Sequence, residues 1–444
     1  MKKPTIYICV EIKNREYDSQ ILLALSSALR GYRVYLGTHA AIYALVKKKT
    51  QKDGIFLDKS TQPLTRVLWN RERMEFYCVL DAELSPVLVE LTARKILPSR
   101  IYPGTENLID KFLVVGPVIE KVAKDYFSDS SALVVMTGWP RIEMWMQDPK
   151  LLHYEKIIDI KGRFGKFLLF TSSFGNVRDP LVTQHLSNAD PIRETEFNTL
   201  ENMIKQHSNF KETIKLLQQW DSDNTVPSIV VRPHTSEPVS VWKRELGRLH
   251  KTHVVQEGDI SPWLMAAEGL IHYGSTSAIQ AFYSEKIIFK LKDLSDLSIS
   301  YITTSISKYV LDEESVFSDF DFSRLELNPE YSPENLNRYI FNPTNGAVAK
   351  VIDTFDSLVA KPSSRHRKSQ LVFSQLNLKS FRRALGLLRD EIYWNLGKTN
   401  INSQLHFVPG GLDRRRIKAI VAMYPKFSDV RYRRMTINLW EFEL

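Results

Sequence analysis

Short runs rich in β-branched and aliphatic residues punctuate the chain. They fall at 5–10, 32–36, 54–58, 76–80, 112–116 and 132–136, and again at 164–170, 228–231, 253–255, 269–272 and 286–290. Strands buried on both faces have this character, because neither set of side chains meets water. Between them apolar residues recur at helical spacing. The clearest case is the set Ile21, Leu22, Leu25 and Leu29, with Asp18 as a candidate N-cap and Gly31 where a helix closes. Strand, helix and strand in succession predict a parallel sheet. The pattern occurs twice, with an amphipathic helix expected at 144–159 between the two series. The expected architecture is therefore α/β, with two Rossmann-like parallel-sheet domains at 1–145 and 146–345. Residues 188–220 read as a polar, helix-rich insertion in the second. Residues 346–444 read as a basic helical extension, with amphipathic helices expected at 371–394 and from Asp413 onward.

Composition narrows the class. At 43% apolar and 25% charged residues over 444 positions, the chain has ample material for two cores. No stretch of eighteen apolar residues occurs, so no membrane span is expected, and the early charges of the first segment do not resemble a signal peptide. Cys9 and Cys78 both lie in apolar runs, where buried thiols in a reducing cytoplasm are expected. The net charge of +9 is uneven. Residues 361–444 carry 17 Lys and Arg against 6 Asp and Glu, leaving the rest slightly acidic. That argues against a nucleic-acid surface on the body and for a tail that meets an anionic membrane face or an acidic protein partner.

Two stretches carry the candidate chemistry. In S-I-V-V-R-P-H-T-S-E-P (228–238) a strand ends in Arg232, Pro233 and His234, and Pro233 stops the ladder by lacking a donor. In I-H-Y-G-S-T-S-A-I-Q-A-F (271–282) a strand ending at His272 turns at Gly274 into Ser275, Thr276 and Ser277, which open a helix. Hydroxyls and free N–H groups at a helix start suit an anion. Ser172 and Ser173 follow the first strand of the second series and allow close backbone approach to a phosphate or sugar. The same residues also serve as ordinary caps and loop closures. No P-loop or G-x-G-x-x-G fingerprint exists, and no Cys/His spacing suggests a metal.

R-P-H-T-S-E and H-Y-G-S-T-S-A-I-Q-A-F resemble the R-P-H-P-S-E and H-x-G-x-T-T-A-x-E-A motifs of bacterial surface-carbohydrate biosynthesis proteins. V-E-I-K-N-R-E (10–16) resembles their P-V-E-x-K-x-R-E loop, and T-G-W-P-R-I-E (137–143) their T-G-N-P-R-x-D. Those proteins look like glycosyltransferases of the B-type fold, distantly similar to capsule enzymes that use CMP-linked 3-deoxy-octulosonate. The resemblance covers roughly residues 5–290. It implies two domains facing a central cleft, with the donor nucleotide on the second. It places Arg232, His234, Glu237, Ser275, Thr276, Ser277, Ser172 and Ser173 at the nucleotide and its phosphates. Lys13, Arg15, Arg141, Ile260, Trp263 and His272 would line the donor site. Glu11, Glu16, Asp81 and Glu83 are the catalytic candidates, with Glu11 first because its loop keeps the family pattern. The chain departs from that pattern at Asp81-Ala82-Glu83-Leu84, where the family has Asp-Glu-Glu-Gly, so a fixed turn near a base is lost.

The expected function is transfer of a sugar, such as a CMP-linked ulosonate, from a nucleotide donor to a surface glycan or glycolipid at the inner face of the cytoplasmic membrane. No metal or other cofactor is expected. Two alternatives stand beside it. One is a related epimerase or polyol-phosphate transferase. The other is a non-catalytic subunit that binds nucleotide or glycan.

Overall fold

A computed structural model describes residues 3–47, 52–61, 64–81, 89–101, 105–146, 150–174, 177, 200–234, 237–292, 301–315, 317, 320–360 and 411–444. The chain divides into two compact units. One comprises Met1–Pro86, Glu90–Gln147 and Asn337–Leu444, and the other Val87–Val89 and Asp148–Leu336.

The first unit begins with β1 (Ile6–Val10), α1 (Lys13–Leu29), β2 (Val34–Thr38), α2 (His39–Val46) and β3 (Ile55–Asp58). It continues through α3 (Leu64–Arg73), β4 (Phe76–Leu80), α4 (Glu90–Arg100), β5 (Lys111–Val114), α5 (Pro117–Phe127), β6 (Val134–Met136) and α6 (Pro140–Met146). Every residue of β1 and β4 is buried, as their unbroken apolar runs require. The expected Asp18 cap is not made. α1 starts five residues earlier, and the Glu16 carboxylate reaches back to the N–H groups of Glu11 and Ile12. A side chain one turn into the helix thus satisfies donors that the helix leaves open. The single connecting helix expected at 144–159 is instead two helices, α6 and α7 (Lys150–Phe164).

The second unit follows with α7, β7 (Leu168–Thr171), α8 (Leu200–Ser222), β8 (Ile229–Arg232), α9 (Val239–Leu246) and β9 (Thr252–Val254). Then come α10 (Ser261–Ala266), β10 (Gly269–His272), α11 (Ser277–Tyr283), β11 (Ile287–Leu291), α12 (Tyr301–Ser305) and β12 (Tyr309–Leu311). Among the described residues its sheet has six strands in the order β12-β11-β10-β7-β8-β9, all parallel. One face packs Phe170, Ile271 and Phe289 into a core with Phe174, Phe210, Trp220 and Trp242.

The chain then returns to the first unit, where the expected helices are joined by a strand pair that the sequence reading did not include. After α13 (Ala347–Val359) and α14 (Arg414–Met423) come two strands, β13 (Arg431–Thr436) and β14 (Leu439–Glu443). β14 pairs antiparallel with β2, so among the described residues the first sheet has eight strands in the order β13-β14-β2-β1-β3-β4-β5-β6. Leu439, Trp440 and Phe442 are buried, which is the physical reason the tail joins the sheet. The helix expected at 371–394 lies outside the described residues. The returning segment also explains the T-G-x-P-R motif. Gly138 has a φ of 81°, and a Cβ there would sit 2.5 Å from the Phe341 carbonyl. Glu143 accepts from the Val348 N–H at 2.6 Å and so closes the start of α13. Among the described residues no helix is long and apolar enough to cross a membrane.

Candidate functional site

In the second sheet β7 leads to β8 and β9 on one side, and the chain then places β10 on the other side of β7. The loops after β7 and β10 diverge, and ligands of doubly wound sheets bind at the carboxyl edge of such a switch point. Both singled-out stretches end at this edge. The register aligns Lys290, His272, Thr171 and Arg232 side by side across β11, β10, β7 and β8. Aligned residues of neighbouring strands share a face, so these four form one polar row under the switch point. None is more than 9% exposed. Two of the four are cations, in a layer where an aliphatic row would be ordinary.

Hydroxyls crowd above the row. Thr171 Oγ1 and Ser277 Oγ are 2.8 Å apart, and Ser277 Oγ lies 2.8 Å from Ser275 Oγ. Ser173 donates to the Tyr273 carbonyl at 2.5 Å, tying the two diverging loops together. Gly274 takes a φ of 63°, which lets β10 turn sharply into α11. Thr276 and His234 are exposed at the rim. The His234 N–H donates to Ser172 Oγ, and its carbonyl accepts from Gln256 and from the Glu237 N–H.

Several of the candidate residues do something other than expected. Arg232 donates to the carbonyls of Glu257 (2.7 Å) and Gly258 (3.0 Å), and its guanidinium lies 5.0 Å from the Trp263 ring. Burial lowers its pKa to about 10, against the pull of Asp259 and Glu257. It shapes the loop after β9 rather than reaching a phosphate. Glu237 is 1% exposed and accepts from Ser172 Oγ, the Phe174 N–H and Trp242 Nε1 at 2.5–2.9 Å. Its carboxylate is a brace for the loop after β7, with no face left for a ribose. Ser172 is consumed in the same brace. Trp263, 2% exposed and donating to the Glu257 carbonyl, anchors α10, and Ile260 is its half-buried N-cap.

His272 is 1% exposed. Ser307 gives its one proton to the Thr303 carbonyl, so His272 Nε2, 2.8 Å from Ser307 Oγ, must be the donor in that pair. Nδ1 is then an unprotonated acceptor, buried and without a partner among the described residues. Burial, helped by nearby Lys290, holds the imidazole pKa down to about 3.

The first sheet has its own switch point, between β1 and β3. Glu11 follows β1, and Lys59 follows β3 and ion-pairs with it. Lys59 also lies 3.6 Å from Glu16, whose other oxygen closes α1. Glu11 is the more open of the two acids, 41% exposed against 15%. Sequence reasoning missed Lys59; its position directly after a strand end was the available signal. Lys13 pairs with Asp413 at 3.0 Å, and Arg15 is half-buried in the first turn of α1. Arg141 lies over Trp139 (5.2 Å) and Trp145 (5.7 Å). Asp81 is held by both of its oxygens against Arg100, at 2.6 and 3.0 Å. Glu83 lies outside the described residues. The structure thus gathers His234, Ser173, Ser275, Thr276 and Ser277 at one edge, and Glu11, Glu16 and Lys59 at another.

No family model matches the chain, and no curated protein does. Several solved structures are similar at low identity. The wall teichoic acid polymerase TagF is 10% identical over 81% of this chain and 89% of its own, with a TM-score of 0.46. The co-structure of MnaA from S. aureus with UDP is 11% identical over 90% of this chain and 99% of its own, with a TM-score of 0.43. UDP-N-acetylglucosamine 2-epimerase from Rickettsia bellii is 12% identical over 80% and 96%, with a TM-score of 0.43.

Proposed function

We propose that this chain is a nucleotide-sugar-dependent glycosyltransferase of the B-type, acting in the assembly of a bacterial surface glycan. The observation that carries the reading is the buried cationic row beneath a hydroxyl rim at the switch point of the second sheet. Lys290, beside Glu330 at 3.4 Å, and Arg232, near Asp259 and Glu257, are fixed in a layer of low dielectric, where an anion at the rim adds a further counter-charge. Thr276 and the linked hydroxyls of Ser275 and Ser277 offer O–H donors there, Ser173 holds the two loops together through the Tyr273 carbonyl, and His234 stands at the exposed end of β8. A nucleotide's phosphate fits that set. As the sugar leaves, charge grows on the phosphate oxygen, and donors already in place lower the barrier without rearranging.

Glu11 is the acid assigned to the acceptor hydroxyl. Its position beside Lys59 keeps the carboxylate oriented, and its exposure lets a substrate oxygen reach it. Glu16, spent on the start of α1, positions that loop. For the donor, a CMP-linked ulosonate is the first candidate, on the motif resemblance alone. A glycan or glycolipid bearing a free hydroxyl is the acceptor class.

The test is donor turnover by the purified chain, with release of free nucleotide as the readout. Glu11→Gln should lower kcat by at least about a hundredfold, the scale of one general base, while nucleotide binding is retained. Unchanged turnover in this variant would remove Glu11 from the mechanism. One observation favours a second reading, binding without turnover: Asp81, one of the four acids named as catalytic candidates and part of the loop that departs from the family pattern, is locked to Arg100. Absence of turnover with every nucleotide sugar, alongside measurable nucleotide binding, would support it.

A further inference from the structure

The C-terminal strands and helix carry charge that the transfer chemistry leaves unused. β13 runs antiparallel to β14, which runs antiparallel to β2, so β13 is parallel to β2. Arg434 and Met435 therefore lie toward the carboxyl edge of the first sheet, the edge that holds Glu11. α14 starts at that edge as well. Its N-cap Asp413 pairs with Lys13, the Asp413 carbonyl accepts from Tyr17 Oη at 3.1 Å, and Arg416 pairs with Asp18 at 3.3 Å. These pairs neutralise Lys13 and Arg416. Arg414, Arg415 and Lys418 on α14 and Arg434 on β13 are exposed, and among the described residues none is ion-paired with a carboxylate. Side-chain contacts join the start of α14 to the strand pair. Arg414 lies over the Tyr432 ring at 5.8 Å and Arg434 over Trp440 at 5.9 Å, and Arg434 and Arg416 both act on the Tyr17 phenol. Met435, 41% exposed, stands beside them.

Four unpaired cations on neighbouring elements repel one another, a cost that an anionic partner relieves. An exposed thioether among cations matches the layering of a bilayer surface, with charge at the headgroups and a small apolar contact just below. We propose that this patch docks the first unit on the anionic face of a lipid bilayer, with the Glu11 edge turned toward the lipid. The proposal does not depend on the transfer reading.

The experiment is co-sedimentation of the full chain with vesicles of phosphatidylcholine alone, or of phosphatidylcholine with about one-third phosphatidylglycerol. The wild type should pellet with the anionic vesicles and stay in solution with the neutral ones. The combined change Arg414→Gln, Arg415→Gln, Lys418→Gln and Arg434→Gln should weaken partitioning by about fivefold for each cation removed. Replacing the three arginines by Lys should preserve it. Thermal melting of each variant reports whether the fold is intact. Two results overturn the proposal: a wild type indifferent to lipid charge, or a folded Gln variant that partitions like the wild type. The second would assign any binding to basic residues outside this patch, and the first would leave an acidic protein as the partner to seek.

Discussion

Glu237 and Arg232 show why a motif is not yet a site. Both sit in the stretch that most resembles a nucleotide-binding motif, and both are consumed by the loops around it. Their types and spacing were legible in the sequence. Their burial was not, because it depends on Trp242 and Trp263 arriving from other elements. Removing the Glu237 carboxylate leaves the Trp242 and Phe174 N–H groups buried without an acceptor, at about 1–3 kcal/mol each. Glu237→Ala is therefore expected to lower stability by ~3 kcal/mol in urea unfolding; an unchanged stability with weakened nucleotide binding would return Glu237 to the ligand. His272 gives a pH prediction. Its folded pKa lies near 3 and its unfolded value near 6.5. Above 6.5 both states are neutral. As pH falls below 6.5, only the unfolded state takes up the proton, so stability drops by about 1.4 kcal/mol per pH unit until pH approaches 3. Paired carboxylates such as Asp356 and Glu441 also lose stabilisation in acid, because their pKa values are lowered in the fold. The His272 share is read as the difference between wild type and His272→Asn across that window. Parallel curves would show that the imidazole is not held neutral.

At the scale of elements, β1 to β11 could be read from the chain to within a few residues, since strands buried on both faces must be apolar throughout, whereas the three-residue β12 was missed because so short a run carries little pattern. The last two strands could not. β13 reads R-Y-R-R-M-T, and all but half-buried Tyr432 are exposed, so its sequence carries a solvated pattern. β14 has the signal, Leu439, Trp440 and Phe442, but it is only five residues long and follows a basic tail. Trp440 is 1% exposed and donates from Nε1 to the Leu412 carbonyl at 2.9 Å. Trp440→Ala is expected to cost about 3–5 kcal/mol, seen as a lower urea midpoint with an unchanged slope. A cost under about 1 kcal/mol would mean that the strand pair is not integral to the sheet. The T-G-x-P-R motif belongs to the same scale. Its glycine makes room for residues 341–347, so Gly138→Val should destabilise the fold without touching the chemistry, which melting and turnover together would separate.

At the scale of the whole molecule, the charge split seen in the sequence survives in the fold as two different electrostatic surfaces. One is the buried row of the second sheet, which no composition count reveals, because Lys290 and Arg232 lie 58 positions apart in the chain and share a row only through strand register. The other is the exposed patch of α14 and β13. The central claim concerns the first. Calorimetric titration of the full chain with CMP, CDP, UDP, GDP and ADP, repeated on His234→Ala and on Ser277→Ala, tests it directly. The account predicts saturable binding of at least one pyrimidine nucleotide, with affinity lowered at least about tenfold in both variants, about 1.4 kcal/mol, and their melting temperatures unchanged. Binding of no nucleotide, or binding that both variants leave at the wild-type affinity, would contradict it.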